Sequence, residues 1–520
     1  MYGRLVYHLS LTTRCAIKAK CLFGLCLVAS LGLADQNPIL VSGGGATLQS
    51  AIESAPAGAT ILVSPGTYSP IRTEGKALHI KAIGGPSSTT IDAMSAARCA
   101  TLTEEPGATF DTVLEGFTLR NGCYDWNVVE NNYGNGGGGV LGGTLINCRI
   151  ERCTATTFGG GASHSVLIRT AIEECSTIDE SYSPTFSMGG GAFFCNLYDC
   201  LVTGNQAGTR GGGIDDSIAV NCTIVDNCTS FAAVDSASNV NYNYTGSTGG
   251  GSSCSVLINC VVWNNRTASW VDSVSSETIS ELANGVNNYD GGDVVISCCS
   301  WPKPSYEFVG VLDNMSVGAL GTLGENRISV ERNTTITNPP SFVGAKDYRL
   351  RLGSPCIDAG RAHAKFNDAD LNGNNRQVGT AIDIGCYEFQ RKIDIPSGGD
   401  GAGRSISVPM DYIEEKAAPL LAEHGGDYEA AALAPAANGL NKVWECYVAG
   451  LSPTNATDVF RTVISMENGE PVIGWKPDLN EGGTKHERVY TVEGRESLTD
   501  GNWGPTNAAS RFFRVKVSMP

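Results

Sequence analysis

The sequence predicts a mainly β protein, built as a parallel β-solenoid and followed by a smaller, mainly β carboxyl-terminal domain. Three observations predict this fold class. Five glycine triplets head repeats of constant internal spacing in the middle of the chain. Within each repeat, apolar and polar residues alternate as on a strand with one buried face. Glycine is abundant, at 64 of 520 residues, and charged residues are only 17%, which disfavours long charged helices.

The chain begins with a basic segment and then an apolar one. Residues 1–34 contain four basic residues and no acidic residue, and their apolar part ends at the small-x-small sequence of residues 32–34. This pattern is typical of a secretory signal peptide cleaved near Ala34, and a buried helix is the alternative. No later segment approaches the roughly 18 apolar residues of a transmembrane helix. We therefore expect a secreted or cell-surface protein, associated with the outer membrane, without a transmembrane helix in the mature chain.

The charge balance excludes one class of partner. The net charge is −17, and without the four basic residues of the leader 32 basic residues oppose 53 acidic ones, which gives −21. Nucleic-acid binding requires basic patches, so we expect no nucleic-acid partner. Sugars, cations and proteins remain possible partners.

The repeats begin at five glycine triplets. The triplets start at Gly137, Gly159, Gly189, Gly211 and Gly249, and the shortest repeat is 22 residues. Counted from the first glycine, offsets 9, 11 and 13 are apolar or small, whereas offsets 10 and 12 are mostly polar. This alternation predicts one strand across offsets 9–13. A single repeat cannot bury the apolar face alone, so successive repeats should stack as coils of a parallel solenoid.

These repeats resemble the right-handed parallel β-helix of the pectin-lyase-like superfamily. Their glycine-rich starts, with a later Asn-Cys-x-Ile, are similar to the polymorphic outer-membrane-protein repeats of bacterial surface proteins. Residues 47–68 resemble the first coils of such helices, in which a short amphipathic helix caps the solenoid and covers its edge strands. The resemblance covers about residues 38–390 and implies the fold rather than an activity.

Residues 347–389, here called the closing module, resemble a module that follows many bacterial β-helices. Cys356 and Cys386 stand where that module usually has alanine, and the resemblance implies that they form a disulfide. By contrast, Cys200, Cys222 and Cys260 occupy the same offset on successive coils. In-register Cβ atoms lie about 4.8 Å apart, beyond disulfide reach, so we expect these three to be stacked free thiols.

The sequence divides into four parts. They are a signal peptide (1–34), the β-helix with its closing module (35–390), a Gly/Ser-rich linker (391–407) and a small, mainly β domain with an amino-terminal helix (408–520). The composition of residues 395–403 favours a flexible linker. In the last part, residues 410–434 predict a helix, and residues 460–466 and 471–475 flank a hairpin signal.

Two acidic patterns resemble functional sites, and the first is a pair of carboxylates. Asp215 and Asp216, near Arg210, resemble the carboxylate pair of a glycosidase. The same offsets hold Ser163 with His164, and Phe193 with Phe194, in the two preceding repeats. A position that accepts such different residues favours an exposed corner, and His164 lies two coils, about 10 Å, from Asp216. The sequence therefore identifies no catalytic residue.

Calcium is the one cofactor that a motif suggests. Asp368, Asp370, Asn372 and Asn374 have the spacing of the first half of a calcium-binding loop, with Gly373 at its sixth position. Position 12 is Gly379, where such a loop needs a glutamate. The alternative is an Asx-rich turn before a strand.

The longer repeats predict a binding edge. Their extra residues lie between offset 16 and the next triplet, so stacking should align these inserts along one edge of the solenoid. The inserts carry aromatic residues, which can stack on sugars or anchor a protein partner. These residues are Tyr124, Trp126, Tyr133, Tyr182, Tyr242, Tyr244, Trp270 and Tyr289. The alternative is that the rings fold back onto the solenoid wall.

Together, these patterns favour a non-enzymatic β-helix that is adhesin-like or glycan-binding. Its partner would be an extracellular glycan or a protein of a host or cell surface. The alternative is a polysaccharide lyase or glycoside hydrolase that acts on extracellular glycan.

Overall fold

The computed structural model describes two compact units, one ending at Phe389 and one beginning at Gln390. The residues it describes are 37–103, 111–125, 136–177, 187–229, 249–268, 281–282, 294–300, 310–312, 328–330, 335–361, 369–396, 405–467, 470–476, 489–495, 504–505 and 512–518. The signal peptide predicted over residues 1–34 lies outside them.

The first unit is a right-handed parallel β-helix, as the sequence predicted. Each coil contributes short strands to four sheets, here numbered in the order in which the chain visits them after a glycine triplet. The coil that starts at Gly159 contains Ala162–Ser163, Val166–Ile168, Ala171–Glu173 and Ser176–Thr177. Strands of neighbouring coils pair in parallel, so equivalent residues stack: Leu167 pairs with Leu197, for example.

The strands of the four sheets follow one another from coil to coil. The first sheet contains Ile71–Arg72, Ala100–Thr101, Val140–Leu141, Ala162–Ser163, Ala192–Phe193, Ile214–Asp215 and Ser252–Ser253. The second contains Ile39–Val41, Thr60–Val63, His79–Ala82, Val113–Glu115, Thr144–Ile146, Val166–Ile168, Asn196–Tyr198, Ile218–Val220, Val256–Ile258 and Val294–Ile296. The third contains Gly66–Tyr68, Thr89–Asp92, Thr118–Arg120, Arg149–Glu151, Ala171–Glu173, Leu201–Thr203, Thr223–Val225, Val261–Trp263 and Cys299–Ser300. The fourth contains Cys123–Tyr124, Thr154–Ala155, Ser176–Thr177, Gln206–Ala207, Cys228–Thr229, Arg266–Ala268 and the antiparallel Glu281–Leu282.

Residues in the left-handed conformation form the corners between the sheets. In the coil of Gly211 these are Asp216, Asn221 and Asp226, with φ of 47°, 53° and 56°. They lie at offsets 5, 10 and 15, and Asn and Asp tolerate this conformation better than most residues. The prediction of a single strand over offsets 9–13 was wrong, because the corner at offset 10 ends the second sheet and starts the third. The core residues lie at offsets 8, 11 and 13, such as Ala219, Cys222 and Ile224, so the apolar residues at offset 9 are not part of the inward-facing row.

The solenoid interior is filled by residues from successive coils. In one coil, Ala219, Cys222 and Ile224 are fully buried in the main core. Offset 16 forms an asparagine ladder: the Nδ2 atoms of Asn205 and Asn227 donate to the next asparagine's Oδ1, Asn227 and Asn265 respectively, each at 2.9 Å. The ladder satisfies side-chain amides that burial would otherwise destabilise. Cys200, Cys222, Cys260 and Cys298 are buried free thiols, which agrees with the expected stacking.

A helix caps the amino-terminal end of the solenoid. It spans Thr47–Ser54, and its Leu48 and Ile52 are buried in the same core as the first strands of the second sheet. The cap predicted from residues 47–68 is therefore present.

The closing module packs sideways on the solenoid, against the outer face of the third sheet. The sheet contributes Leu201, Val225, Val261 and Cys299 to a shared apolar cluster, and the module contributes Tyr348, Leu350, Cys356, Ile384 and Cys386. Polar contacts bind the same two surfaces: Tyr348 Oη donates to Asp226 Oδ2 at 2.7 Å, and the Cys386 amide donates to Thr223 Oγ1 at 3.0 Å. The strand Asp347–Leu350 pairs antiparallel with Phe342–Gly344, and Gly310–Leu312 pairs likewise with Ile328–Val330.

The predicted disulfide within the closing module is absent. Cys356 and Cys386 are both buried free cysteines. The backbone amide of Cys386 donates to Thr223 Oγ1 on the third sheet, and Cys356 is buried in the same apolar cluster as Cys299 of that sheet. Both cysteines thus pack in the apolar cluster between the closing module and the third sheet.

The second unit begins with a hairpin where the sequence predicted a linker. Lys392–Pro396 and Ser405–Pro409 pair antiparallel, and Ile395 and Val408 are buried in the unit's core. The prediction of a flexible linker over 391–407 was therefore wrong at both of its ends. Residues 397–404 are outside the described chain. The linker prediction followed the glycine-rich composition and overlooked the short alternation of apolar and polar residues in the two strands that flank it.

Four short helices follow, and then strands. The helices span Met410–Lys416, Ala418–Glu423, Tyr428–Leu433 and Val443–Ala449. The single helix expected over 410–434 is thus broken, at Pro419 near one helix start and at Gly425 and Gly426, which have positive φ. The predicted hairpin is confirmed: Arg461–Glu467 pairs with Glu470–Lys476. Val489–Arg495 pairs with Phe512–Ser518 and with Gly504–Pro505.

Candidate functional site at the first corner

The described ends of the inserts lie in one row along the solenoid. The chain leaves for an insert after Ser176–Thr177, Cys228–Thr229 and Arg266–Ala268, which are all strands of the fourth sheet. After the first two of these strands it returns at the glycine triplets of Gly189 and Gly249, and the triplets bond to one another from coil to coil. The attachment points therefore lie along one edge, here called the insert edge.

Tyr124 is the one predicted aromatic residue within the described chain. It is buried, and the guanidinium carbon of Arg98 lies 4.7 Å from its ring centroid. Arg98 also donates to the carbonyls of Gly137 and Gly136, at 2.7 and 3.0 Å, where the chain returns from that insert. Tyr124 thus packs on the solenoid wall, as the alternative interpretation proposed. Trp126, Tyr133, Tyr182, Tyr242, Tyr244, Trp270 and Tyr289 lie outside the described residues.

Beside the insert edge, side chains from four coils meet at the corner between the first and second sheets. We call this group the corner site; it consists of Phe158, Ser163, His164, Met188, Phe193, Phe194, Arg210, Asp215, Asp216 and Cys254. Residues just before three successive triplets, Phe158, Met188 and Arg210, form bridges in register. His164, Phe194, Asp216 and Cys254 stack at offset 5 with φ between 47° and 54°. The predicted corner is present, but it is not fully exposed, since His164 and Phe193 are each only 5% accessible.

The amino-terminal half of the corner site is aromatic. The rings of His164 and Phe194 stack at 5.3 Å with an interplanar angle of 7°, and Phe193 meets Phe194 edge-on at 4.4 Å. Phe158 stacks on Phe193 at 4.5 Å. Nδ1 of His164 is hydrogen-bonded to the Ser163 hydroxyl at 2.8 Å. Burial lowers the pKa of His164 to about 4, so its imidazole is neutral at physiological pH.

The carboxyl-terminal half of the corner site is charged. Nη2 of Arg210 lies 3.2 Å from Asp215 Oδ2 and 3.5 Å from Asp216 Oδ2. The side chain of Asp215 is fully buried, whereas Asp216 and Arg210 retain 28% and 33% of their side-chain exposure. Burial raises the pKa of Asp216, and the charge of Arg210 partly opposes this. Burial would lower the pKa of Arg210, but Asp215, Cys254 and Asp216 raise it.

This arrangement is better suited to binding than to hydrolysis. A glycosidase needs two carboxyl groups that both reach the substrate, but in this pair only Asp216 is accessible. Phe194 lies between His164 and Asp216 in the stack, so these two cannot form an acid–base pair. Partly exposed rings beside an Arg–Asp pair, in contrast, provide an apolar surface with a few fixed polar groups.

The loop considered for calcium has the geometry of an Asx turn in its described part. Oδ1 of Asp370 accepts hydrogen bonds from the amides of Asn372 and Asn374, at 3.0 and 2.8 Å. Its Oδ2 accepts from the amide of Glu388 at 3.1 Å and from Asn374 Nδ2 at 3.2 Å. Asp368 lies outside the described residues. Both oxygens of Asp370 are thus occupied in holding the closing module together.

Within the described chain, no three His, Cys, Asp or Glu side chains lie close enough to share a metal ion. No helix of that same part of the chain is long and apolar enough to cross a membrane.

The sequence did not reveal that the outer face of the third sheet is covered. Asp199, the single acid at offsets 10 and 12 of the five repeats, is 2% accessible and lies 3.4 Å from Nε of Arg376 in the closing module. Asn221 donates to Asp199 at 3.2 Å. Leu201 and Val261 are apolar at an outward offset, and this was the signal in the sequence that a covering element was present.

Comparisons with known proteins give weak likenesses. No family model and no curated protein matches the chain. Among solved structures, pectate lyase Pel9A has 13% identity and a TM-score of 0.33, over 68% of this chain and 97% of its own. Pectin methylesterase PemA from Erwinia chrysanthemi has 15% identity and a TM-score of 0.23, over 57% and 85%. A pectin methylesterase in complex with a hexasaccharide has 15% identity and a TM-score of 0.24, again over 57% of this chain and 85% of its own. These likenesses indicate nothing about activity, and the fold assignment depends on the strand pairing described above.

Proposed function

We propose that this protein is an exported, cell-surface β-helix that binds an extracellular glycan along the insert edge and the adjoining corner site, without cleaving it. The observation that carries the proposal is the corner site itself, where partly exposed Phe158 and Phe194 lie beside the Arg210–Asp216 pair. Aromatic rings contact the apolar faces of sugars, and charged side chains held by one another can bond sugar hydroxyls. The aromatic residues of the inserts would extend this surface.

A second observation that supports the proposal is that part of the solenoid surface is covered and cannot bind a ligand. The closing module buries the outer face of the third sheet over the coils that carry Leu201, Val225 and Val261. A long ligand cannot lie on that covered face. Export, release or surface association, and an adhesin-like role toward a host or cell-surface protein, belong to the same proposal.

The test is glycan binding by matched variants. Asp216→Asn and Phe194→Ala alter partly exposed side chains of the corner site, and Trp126→Ala with Trp270→Ala alters the inserts. Arg149→Ala is the control, because Arg149 is an exposed charged residue on the third sheet, outside the corner site. We expect the corner and insert variants to weaken binding on a glycan panel about tenfold or more, as the loss of an anchor does, with the control unchanged. Unchanged binding by all corner and insert variants, with circular dichroism showing them folded, would overturn the proposal.

The same panel tests the enzymatic alternative. A lyase would release products with the absorbance of an unsaturated uronide, and a hydrolase would release new reducing ends, with or without added calcium. The partly exposed Asp216, whose pKa burial raises, is the residue of the corner site that could act as a general acid. Product formation that Asp216→Asn abolishes would favour a hydrolase over a binding protein.

A further inference from the structure

The charged half of the corner site has its positive charge fully engaged. Arg210 is the one cation of the site, and its Nη2 lies 3.2 Å from Asp215 Oδ2 and 3.5 Å from Asp216 Oδ2. The other two nitrogens of the guanidinium are directed at sulfur atoms: Nε lies 3.3 Å from Met188 Sδ, and Nη1 lies 3.8 Å from Cys254 Sγ. One guanidinium thus opposes two carboxylates, and an anionic ligand would compete with both of them for it.

The partly exposed ring of Phe194 lies next to the exposed carboxylate of the corner site. Phe193 pairs with Asp215 on the neighbouring coil, so Phe194 and Asp216 stack at offset 5. Asp216 retains 28% of its side-chain exposure. On the other side of Phe194 lies His164, which is uncharged at physiological pH because burial lowers its pKa to about 4. A ligand on the Phe194 ring therefore meets the carboxylate of Asp216 and a guanidinium that already pairs with it.

The four inserts that attach along the insert edge contain acidic residues and no basic ones. Each lies between a fourth-sheet strand and the next coil, and their residues are 125–136, 178–188, 230–248 and 269–293. Together they contain ten acidic residues, which are two, two, one and five in chain order, and no lysine or arginine. At their described ends, Arg98 donates to the carbonyls of Gly136 and Gly137, and Arg266 is exposed on the fourth sheet. Two arginines do not balance ten acidic residues, so the insert edge carries a net negative charge.

We propose that the glycan bound along this edge is uncharged, and that the negative charge of the insert edge and the corner site excludes glycans rich in uronate or sulfate groups. This inference rests on the proposed function and specifies the class of glycan. The rings of Phe158 and Phe194 contact the apolar face of a neutral sugar, and Asp216 accepts a hydrogen bond from a sugar hydroxyl. An acidic sugar in the same place brings its own anionic group next to Asp216 and the acidic inserts. Repulsion between these like charges then discriminates against the acidic glycan.

The experiment compares the binding of glycans in matched pairs that differ in charge. Each neutral polysaccharide of a panel is presented beside the same polysaccharide with its C6 hydroxyls oxidised to carboxylates, and polygalacturonate is presented beside its methyl ester. EDTA is present throughout, so that no divalent cation bridges two carboxylates. At about 0.01 M salt, where the Debye length is about 30 Å, we expect the full chain to bind the neutral member of a pair at least about tenfold more tightly. At about 1 M salt the Debye length is about 3 Å, so this ratio should fall several-fold.

Two variants and a control locate the source of this preference. Asp216→Asn keeps the shape of the side chain and removes its charge, so the preference for the neutral member should fall about fivefold, whereas Arg149→Ala should leave it unchanged. Acidic members that bind as tightly as neutral ones, with binding lost in a folded Phe194→Ala variant, would overturn this inference and leave the proposed function intact. No binding to any member of the panel would overturn both. A preference that Asp216→Asn leaves unchanged would contradict the role of the charge of the corner site.

Discussion

The outer face of the third sheet has two halves with the same backbone geometry. One half is exposed to solvent, and the closing module covers the other. In the earlier coils Arg149 bridges Glu151 and Glu173 at 2.9 and 2.5 Å, and about half of its side chain is exposed to solvent. In the later coils the equivalent face carries Leu201 and Val261, which the closing module buries. The strands pair in the same way throughout. The side chains at outward offsets therefore decide whether a β-helix wall faces water or supports another element.

This difference also determines where recognition can occur. Beside this covered wall, the corner site has partly exposed aromatic and charged side chains, Phe158, Phe194, Arg210 and Asp216. The corner site contains a neutral histidine and an ion pair with one accessible carboxylate. The glycan binding proposed above therefore assigns recognition to the corner site rather than to the covered face of the third sheet.

The largest difference in stability between the two halves should come from a charged residue introduced beneath the closing module. Val261→Asp would bury a carboxylate where the present side chain is fully inaccessible. We expect a loss of about 3 kcal/mol or more in the free energy of unfolding, because an unpaired buried charge is rarely tolerated. Chemical denaturation would measure it. Arg149→Ala, on the open half of the face, should change stability by less than about 1 kcal/mol, as exposed ion pairs usually do.

Two matched glycine-to-alanine substitutions test the contact between the closing module and the third sheet. Gly385 and Gly373 both lie in the closing module with positive φ, of 108° and 81°. A Cβ at Gly385 would come within 2.9 Å of Thr223 Oγ1 and 3.0 Å of Val261 Cγ2, whereas one at Gly373 would have no atom within 4 Å. Both alanine variants should lose about 1 kcal/mol to backbone strain. Gly385→Ala should lose a further 1–3 kcal/mol, approximately, because the module must shift from the sheet. Equal losses would indicate that the module does not press on the sheet.

The covered half should also respond to pH. Burial raises the pKa of Asp199 to about 7, with Arg376 opposing, and burial likewise raises the pKa of Asp383 to about 6 and of Glu388 to about 7. These carboxyl groups bind protons more tightly in the folded protein than in the unfolded chain. Their contribution is therefore most favourable below about pH 4 and is lost as pH rises toward 7.

Melting curves between pH 4 and 7 would check this expectation. Asp199→Asn preserves the shape of the side chain and removes its titration, so its stability should depend less steeply on pH than that of the wild type. A wild-type stability that increases over this interval would contradict the expected direction. Glu115 on the second sheet supplies a contrast. His79 and Lys81 lower the pKa of Glu115 to about 2, so its contribution is lost only in stronger acid.

The sequence predicted the features that local periodicity controls. Glycine triplets at constant spacing were enough to predict the coils, their parallel stacking and the alignment of the inserts. Leu48 and Ile52 marked the capping helix, which buries both of them. The corner at offset 10 was missed because alternation passes through it, although the asparagines at that offset are residues that favour a left-handed turn.

Long-range contacts were not predictable in the same way. The hydroxyls of Tyr348 and Thr203 lie 2.9 Å apart although 145 positions separate the residues in the chain. No repeat or local motif predicts a contact between residues so far apart in the chain. Cys356 and Cys386 are free in the structure, and the apolar cluster that holds both of them also includes third-sheet residues far away in the sequence. The apolar residues Leu201 and Val261 at outward positions indicated that another element covers this face, but they did not indicate which element it is.

The docking of the module on the side of the solenoid is tested most directly by a double-mutant cycle across that junction. Tyr348 Oη donates to Asp226 Oδ2 at 2.7 Å, and Asp226 belongs to the corner after the third sheet. The cycle compares Tyr348→Phe, Asp226→Ala and the double variant by urea denaturation, and effects of Asp226 on other partners cancel from it. We predict a coupling free energy of about 1 kcal/mol or more, as for a hydrogen bond to a charged group. Additivity to within about 0.3 kcal/mol would contradict the placement of the module on the third sheet.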